Sequence, residues 1–445
     1  MPFVILPTNS ASGGYNITNS LRFNSSSSDK LSRSATSGSN TKYTVSCWVK
    51  RSGFDSSTTV FSTGDTSADN NARMLFINAD NRVQVAYYNA GYTYQVETSA
   101  LLRDPSAWYH LISAVDTTQA TSSNRIKIYI NGTLQTSLST ANYPTQNATF
   151  NYNSATQYIG DLGGRSIFSN FYLADFNYID GQQLDSTSFG ETDEDTGIWK
   201  PKAYTGTYGT NGFYLQFKNS ASLGTDSSGN GNTFTVNNLT SVDQSTDTPT
   251  NNFTTLNPLT GIGTFSEGNL QYTTTTTDGQ TSVNTISLSS GGKWYCEAKM
   301  ISKTGGNYQL GISNTSAVNF TYRVLYRDDG QVYVGGTLTA TYATFTTGDI
   351  IGMAFDSSTL NLSLYKNGTL QGTVTAPTLI SSVSQDYFFG SVSLSGGQTF
   401  VTQWNFGSPI YSANSYQDAN GFGNFSYSVP SGFYSLCTKN LSLYG

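Results

Sequence analysis

The phrase Tyr-x-Asn-Gly-Thr-Leu-Gln occurs twice, at Tyr129–Gln135 and at Tyr365–Gln371. In both copies an Asn-Gly pair stands between alternating apolar residues. That pattern predicts a two-residue hairpin turn, because both central residues need positive φ and Asn and Gly tolerate it best. Other landmarks recur in step. TVSCWVKRS (Thr44–Ser52) is echoed by KWYCEAKMIS (Lys293–Ser302), and WYHLISAVD (Trp108–Asp116) by GDIIGMAFD (Gly348–Asp356). Two β-sandwich domains on one related plan are the simplest arrangement that accounts for this doubling. On this reading Cys47 and Cys296 occupy equivalent strand positions, as free buried thiols.

The 445 residues suffice for two or three domains with cores of their own. Charged residues are 11% and aromatics 13%, with 30 Tyr, 25 Phe and 43 Gly. Tyr, Phe, Val and Thr suit half-buried strands, while Gly, Asn and Ser suit the corners. No long window carries apolar residues at helical spacing, so the predicted class is all-β: two antiparallel β-sandwiches in tandem. A net charge of −6 and 22 scattered Lys and Arg argue against nucleic acid, which needs a basic face to displace counterions. No apolar run is long enough for a bilayer helix, so membrane insertion is not expected. MPFVILP at the start lacks the basic flank and the length of a secretion signal.

The expected organisation is an N-terminal arm (1–19), a first sandwich (20–217), a connector (218–260), a second sandwich (261–407) and a tail (408–445) packed on the second sandwich. Within the first, Ile126, Ile128 and Ile130 share one strand face and Lys127 and Tyr129 the other. That alternation places one face in a core and the other toward a second layer or solvent.

SLRFN, YTVSCWVKR, AWYHLISAVD, IKIYINGTLQ and YIGD, with an aromatic and acidic closing stretch, resemble laminin-G/pentraxin-like domains of the concanavalin A-like jelly-roll class. GGKWYCEAKMI, NYQLGISN, GDIIGMAFD, LNLSLYKNG and QWNFG resemble a SPRY domain. DSSGNGNTFTVNNLTSVDQSTDTPTNNFTTLNPL (Asp226–Leu259) and FGNFSYSVPSGFYSLC (Phe422–Cys437) are similar to structural proteins of marine tailed bacteriophages. That resemblance implies a virion location, on the surface of a capsid or tail, and other virion proteins as partners.

Candidate chemistry is sparse. ETDED (Glu191–Asp195) has the letters of a paired-carboxylate glycosidase, whose retaining form needs carboxyls about 5–5.5 Å apart. Its Gly and Thr flanks predict a solvated loop. His110, the single histidine, lies in a strand with no second histidine for a catalytic constellation. DSSGNGN partly imitates a calcium loop through Asp226, Ser228 and Asn230, but Asn237 stands where the bidentate Glu should be. The loop is expected mainly to turn the chain. No cofactor is expected, and calcium stays open without assignable ligands. The candidate binding surface is aromatic: Tyr87, Tyr88, Tyr92 and Tyr94 around one hairpin, with Tyr92 and Tyr94 on one face, and Tyr322, Arg323, Tyr326 and Arg327 in a second-domain loop. Exposed aromatics stack on sugars or fill protein interfaces.

The expected role is a non-enzymatic virion subunit: capsid decoration, head fibre or tail appendage, acting as an adhesive module. The alternative is a lectin-like receptor binder that recognises host-surface polysaccharide. Appendages of this kind are commonly homo-oligomeric, yet no heptad or collagen-like tract specifies a trimer.

Overall fold

A computed structural model describes residues 14–54, 56–64, 70–260, 262–274, 280–288, 291–314, 322–379, 386–393 and 398–445. The described residues divide into two compact units, 14–250 and 251–445.

Each unit is a pair of antiparallel sheets around one core. In the first unit, one sheet runs in the order Thr133–Leu134, Ile126–Ile130, Trp108–Asp116, Lys42–Arg51, Phe171–Asp180, Ser20–Phe23, Gln244–Ser245. Phe213–Leu215 also pairs with Phe171–Asp180. The facing sheet runs Leu138–Asn142, Tyr92–Leu101, Arg82–Asn89, Asn70–Ile77, Thr58–Gly64, Thr156–Ile159, Lys30–Ser34, Thr235–Asn237. Inward residues such as Val45, Cys47, Val83, Val85, Ile126 and Ile128 fill the space between them. Leu223, Phe234 and Leu239, from the stretch read as a connector, belong to this same core.

The first sheet is covered on its outer face as well. Ile17 packs there with Trp48, Trp108 and Tyr172, and Tyr129 packs with Ile112, Ile179 and Phe189. Leu184, Trp199, Tyr204 and Tyr208 complete this lid. Beneath it Lys50 and Asp247 form a fully buried ion pair at 2.7 Å. In Phe171–Asp180 the register steps between Ala174 and Asn177, where Asp175 takes φ +50°. This bulge turns the Asp175 carboxylate to accept hydrogen bonds from Tyr15 (2.7 Å) and Tyr214 (2.5 Å).

The second unit pairs a sheet ordered Thr264–Ser266, Gln271–Thr273, Phe400–Asn405, Lys293–Lys303, Ile350–Asp356, Asn361–Lys366, Thr369–Thr375 with one ordered Gln280–Val283, Tyr387–Ser393, Tyr308–Asn314, Arg323–Arg327, Gln331–Val334, Thr337–Thr341. Trp294, Trp404, Met353 and Phe355 lie in its core, joined by Ile410 and Leu436 from the tail. Tyr434–Ser435 adds a parallel strand beside Lys293–Lys303, and the one α-helix among the described residues is Thr438–Tyr444.

Both Asn-Gly pairs turn as expected, with φ +46° and +80° at Asn131-Gly132 and +48° and +78° at Asn367-Gly368. Each Asn side chain also accepts from the strand before it, Asn131 from His110 N–H and Asn367 from Ile350 N–H. The repeat aligns through Lys42 opposite Asp116 and Lys293 opposite Asp356. Against that register Cys47 stands five residues after its lysine and Cys296 three, so the two thiols are not equivalent positions. They share a strand face, because a shift of two restores it. Cys47, Cys296 and Cys437 are all free and buried.

Candidate adhesive surface

The face of the second sheet of the first sandwich that points away from the core carries three cross-strand rows, in which Thr59, Ser62, Asn71, Phe76, Gln84, Ala86 and Glu97 are buried and Tyr92 is exposed. Asn71, Tyr88 and Tyr92 form one; Ser62, Arg73, Ala86, Gln95 and Asn142 form the next; Thr59, Phe76, Gln84, Glu97 and Thr140 form the third. Alternation puts these residues opposite the core-facing Met74, Val83, Val85 and Val96. Hydrogen bonds then knit the polar members together. Glu97 accepts from Gln84 (2.5 Å), Gln95 (2.8 Å) and Asn78 (3.1 Å), and more weakly from Thr140 (3.3 Å) and Ser139 (3.4 Å). Burial alone would raise its pKa, but these donors bring it below the usual glutamate value. Arg73 donates to Gln84 (2.9 Å) and to the Tyr92 hydroxyl (2.7 Å).

The hairpin tyrosines divide in a way alternation alone does not give. An irregularity between Tyr87 and Tyr88 pairs Tyr88 with Tyr92 and Tyr87 with Tyr94. Tyr87 and Tyr94 lie in the core, where Tyr94 bonds Tyr152 at 2.7 Å. Tyr92 is 40% exposed and meets Tyr88 edge-on at 5.3 Å. The expected grouping of Tyr92 with Tyr94 on one face is therefore corrected, because the bulge breaks the two-residue period.

In the second sandwich the expected loop is a strand, Arg323–Arg327, inside the six-stranded sheet. Tyr322, Arg323 and Tyr326 are buried, and Tyr326 meets Phe345 edge-on at 5.1 Å. Arg327 is bonded to Asp329 and Gln331 and lies 5.2 Å from the Tyr333 ring. Of the eight candidate residues, Tyr88 and Tyr92 stand together at a surface.

His110 is buried between Trp48 (4.8 Å) and Trp199 (6.0 Å). The Trp199 indole N–H donates to Nδ1 at 2.9 Å, and Ser46 Oγ lies 2.9 Å from Nε2. Burial lowers the imidazole pKa to about 3. The neutral ring therefore carries its proton on Nε2 and donates to Ser46, the reverse of a base that accepts a serine proton. Of ETDED, Glu191 and Thr192 end the short strand Gly190–Thr192 that pairs with Trp199–Pro201, while Asp193, Glu194 and Asp195 lie in the turn between them, largely exposed as expected. Lys200 lies 3.5 Å from Glu191 and 3.3 Å from Asp193, and the Asp193 carboxylate accepts from Thr196 N–H and Oγ. In the DSSGNGN loop the Asp226 carboxylate accepts from the N–H groups of Tyr214, Ser228 and Asn232. Oxygens surrounded by N–H donors hold a turn rather than a cation.

Sequence reasoning missed Arg73, Gln84, Gln95 and Glu97. Their signal was the alternation of polar side chains in Gln84–Tyr88 and Gln95–Glu97, legible once the opposite face is known to be the core.

A family model described as the concanavalin A-like lectin/glucanases superfamily matches residues 24–182. No curated protein sequence matches the chain. Among solved structures, the SPRY domain of human HERC1 aligns at 17% identity over 34% of this chain and 96% of that one, with TM-score 0.30. The LG4-5 domains of the mouse laminin alpha1 chain align at 10% identity over 98% and 92%, with TM-score 0.31. A pentraxin from Limulus polyphemus aligns at 16% identity over 38% and 80%, with TM-score 0.28. The paired antiparallel sheets of both units make this an all-β protein of two β-sandwiches in tandem, and the family match places residues 24–182 of the first in the concanavalin A-like class.

Proposed function

We propose that the protein is a non-enzymatic adhesive subunit on the virion of a tailed bacteriophage. The observation that carries the non-enzymatic part is the state of its reactive-type groups. His110 is locked as a donor between two tryptophans, and Glu191 and Asp193 are held by Lys200. The virion part rests on the sequence likeness at Asp226–Leu259 and Phe422–Cys437. Many copies on one particle compensate for weak single-site contacts, so a rigid sandwich with a modest surface suffices. Mass spectrometry of purified particles tests this reading. The subunit is expected among the particle proteins, and its confinement to infected-cell lysate would count decisively against it.

The second reading, a lectin-like receptor binder, is favoured by the Tyr88–Tyr92 pair at the edge of a hydrogen-bonded polar face. A glycan array separates the two. A lectin loses its signals on Tyr92→Ala, while a purely architectural subunit gives no sugar-dependent signal with either protein.

A further inference from the structure

We propose that Lys50 and Asp247 join in an intramolecular isopeptide bond, a covalent tie formed by the folded first sandwich itself. Such a bond would serve an architectural subunit and a receptor binder alike, so it does not depend on which reading of the function holds.

The two groups meet in a site closed to water. Lys50 Nζ lies 2.7 Å from Asp247 Oδ2, with the side chains 1% and 2% exposed. Other lysine–aspartate pairs are reached by solvent: the lysine side chain is 22% exposed in Lys30–Asp161, 21% in Lys303–Asp328 and 37% in Lys42–Asp116. Register places Trp108, Lys50, Tyr172 and Arg22 side by side across four strands. Trp108 and Tyr172, with Ile17 packed against them, make the walls apolar, and Arg22 at the end of the row is itself paired with Asp243 at 3.2 Å. Asp247 is pinned around its backbone and its carboxylate. Its N–H donates to Ser245 Oγ (3.1 Å), its carbonyl accepts from Ser20 Oγ (2.6 Å), and Oδ1 accepts from the Trp108 indole N–H (3.0 Å).

An ion pair this dry is destabilised relative to its neutral form, because neither charge keeps its hydration. One ammonium proton can cross the contact to Oδ2, leaving an amine beside a carboxylic acid. The nitrogen lone pair then bonds to Asp247 Cγ, while the Trp108 N–H stabilises the negative charge gathered on Oδ1. The Cγ–Oδ2 bond breaks, and the departing hydroxyl takes a second proton from nitrogen and leaves as water. Ammonium and carboxylate thus give an amide and one water, with no other reactant. Well-oriented groups react at effective concentrations of about 10⁵–10⁸ M, and exclusion of water protects the product from hydrolysis. The tie joins the central strand Lys42–Arg51 to the residues just before 250, where the unit ends, and so closes one loop around most of the first sandwich.

Mass spectrometry of the full chain, folded first and then denatured, tests for the bond. The wild type is expected to be lighter than its sequence by one water. Its tryptic digest should contain a branched peptide joining the segments around Lys50 and Asp247, because trypsin does not cut after an acylated lysine. Lys50→Met and Asp247→Ala should each show the full sequence mass, with the two segments recovered as separate peptides. A wild-type chain of full sequence mass, whose segments stay separate after prolonged incubation of the folded protein, would overturn the proposal. So would a loss of water that persists in Lys50→Met. The branched peptide of the wild type decides even if either variant fails to fold.

Discussion

The two sandwiches share a turn and differ in what closes over it. In each, the Asn-Gly hairpin is covered by an aromatic ring from a segment later in the same unit. A Cβ on Gly132 would lie 2.4 Å from Trp199, and one on Gly368 would lie 2.5 Å from Tyr427. The lids are then fastened by opposite chemistry. The first is fastened through a neutral histidine, His110, which accepts from Trp199. The second is fastened through a buried carboxylate, Glu297, which accepts from the backbone N–H groups of Ser426 and Tyr427 at 2.9 Å, with Tyr295 and Asn405 adding side-chain donors. One strand plan thus tolerates either fastener, provided each buried polar atom finds a partner.

Removing the second fastener should have the largest effect. Glu297→Ala leaves two buried N–H groups without acceptors and is expected to destabilise the second sandwich by on the order of 3 kcal/mol. Glu297→Gln keeps an acceptor for one backbone N–H but turns its NH2 toward the other, so its cost should fall between wild type and Glu297→Ala. Limited proteolysis within residues 424–434 reads the outcome, and a tail equally protected in Glu297→Ala would break the comparison.

Acid should separate the two lids next. The His110 pKa is about 3 when folded, against about 6.5 when unfolded. As pH falls the unfolded chain takes the proton first. Stability fully present above about pH 6.5 is therefore lost toward pH 3, at up to about 1.4 kcal/mol per pH unit. Glu297 has the opposite sign. Burial raises its pKa, so the folded state takes the proton first, and its contribution is greatest below the ordinary glutamate value and shrinks as pH rises through the raised one. Hydrogen exchange at pH 7 and pH 5, corrected for intrinsic rates, should show protection falling in Trp108–Asp116 and holding in Lys293–Lys303. His110→Gln should flatten the first response. Parallel losses in the wild type would refute the contrast.

The shared part should respond alike. Gly132→Ala and Gly368→Ala each place a side chain at positive φ and against a ring, so each should cost about 1–2 kcal/mol before the lid shifts. Calorimetry on both variants sharpens the equivalence, and a cost in one alone would restrict it. The smallest effect is expected at Lys42 and Lys293, whose pairs with Asp116 (3.2 Å) and Asp356 (3.0 Å) are solvent-reached. Lys42→Met and Lys293→Met should each change stability by less than about 1 kcal/mol.

How much of this was legible in the chain depends on the range of the interaction. Both Asn-Gly turns, the strands around them and the sandwich class follow from local backbone preference and two-residue alternation, properties that travel with the sequence. Alternation failed where a strand bulged. One register step took Tyr92 off the face of Tyr94, and a bulge turned Asp175 away from its own strand. It also failed for TYRVLYRDDG, where Tyr and Arg side chains, read as a partner-binding loop, enter a sheet interior. Nothing local distinguishes an arginine buried in a sheet, such as Arg323, from one that stays partly exposed, such as Arg73.

The residues alone settled the class, the doubling and the two turns, because hydrophobic period and positive φ act over a few residues. Folding in three dimensions chose which tyrosines face solvent, gathered the donors around Glu97, and set Arg73 against Gln84 and Tyr92. Those outcomes depend on groups brought together across strand registers and from distant segments, where one bulge or one lid decides whether a side chain meets protein or solvent.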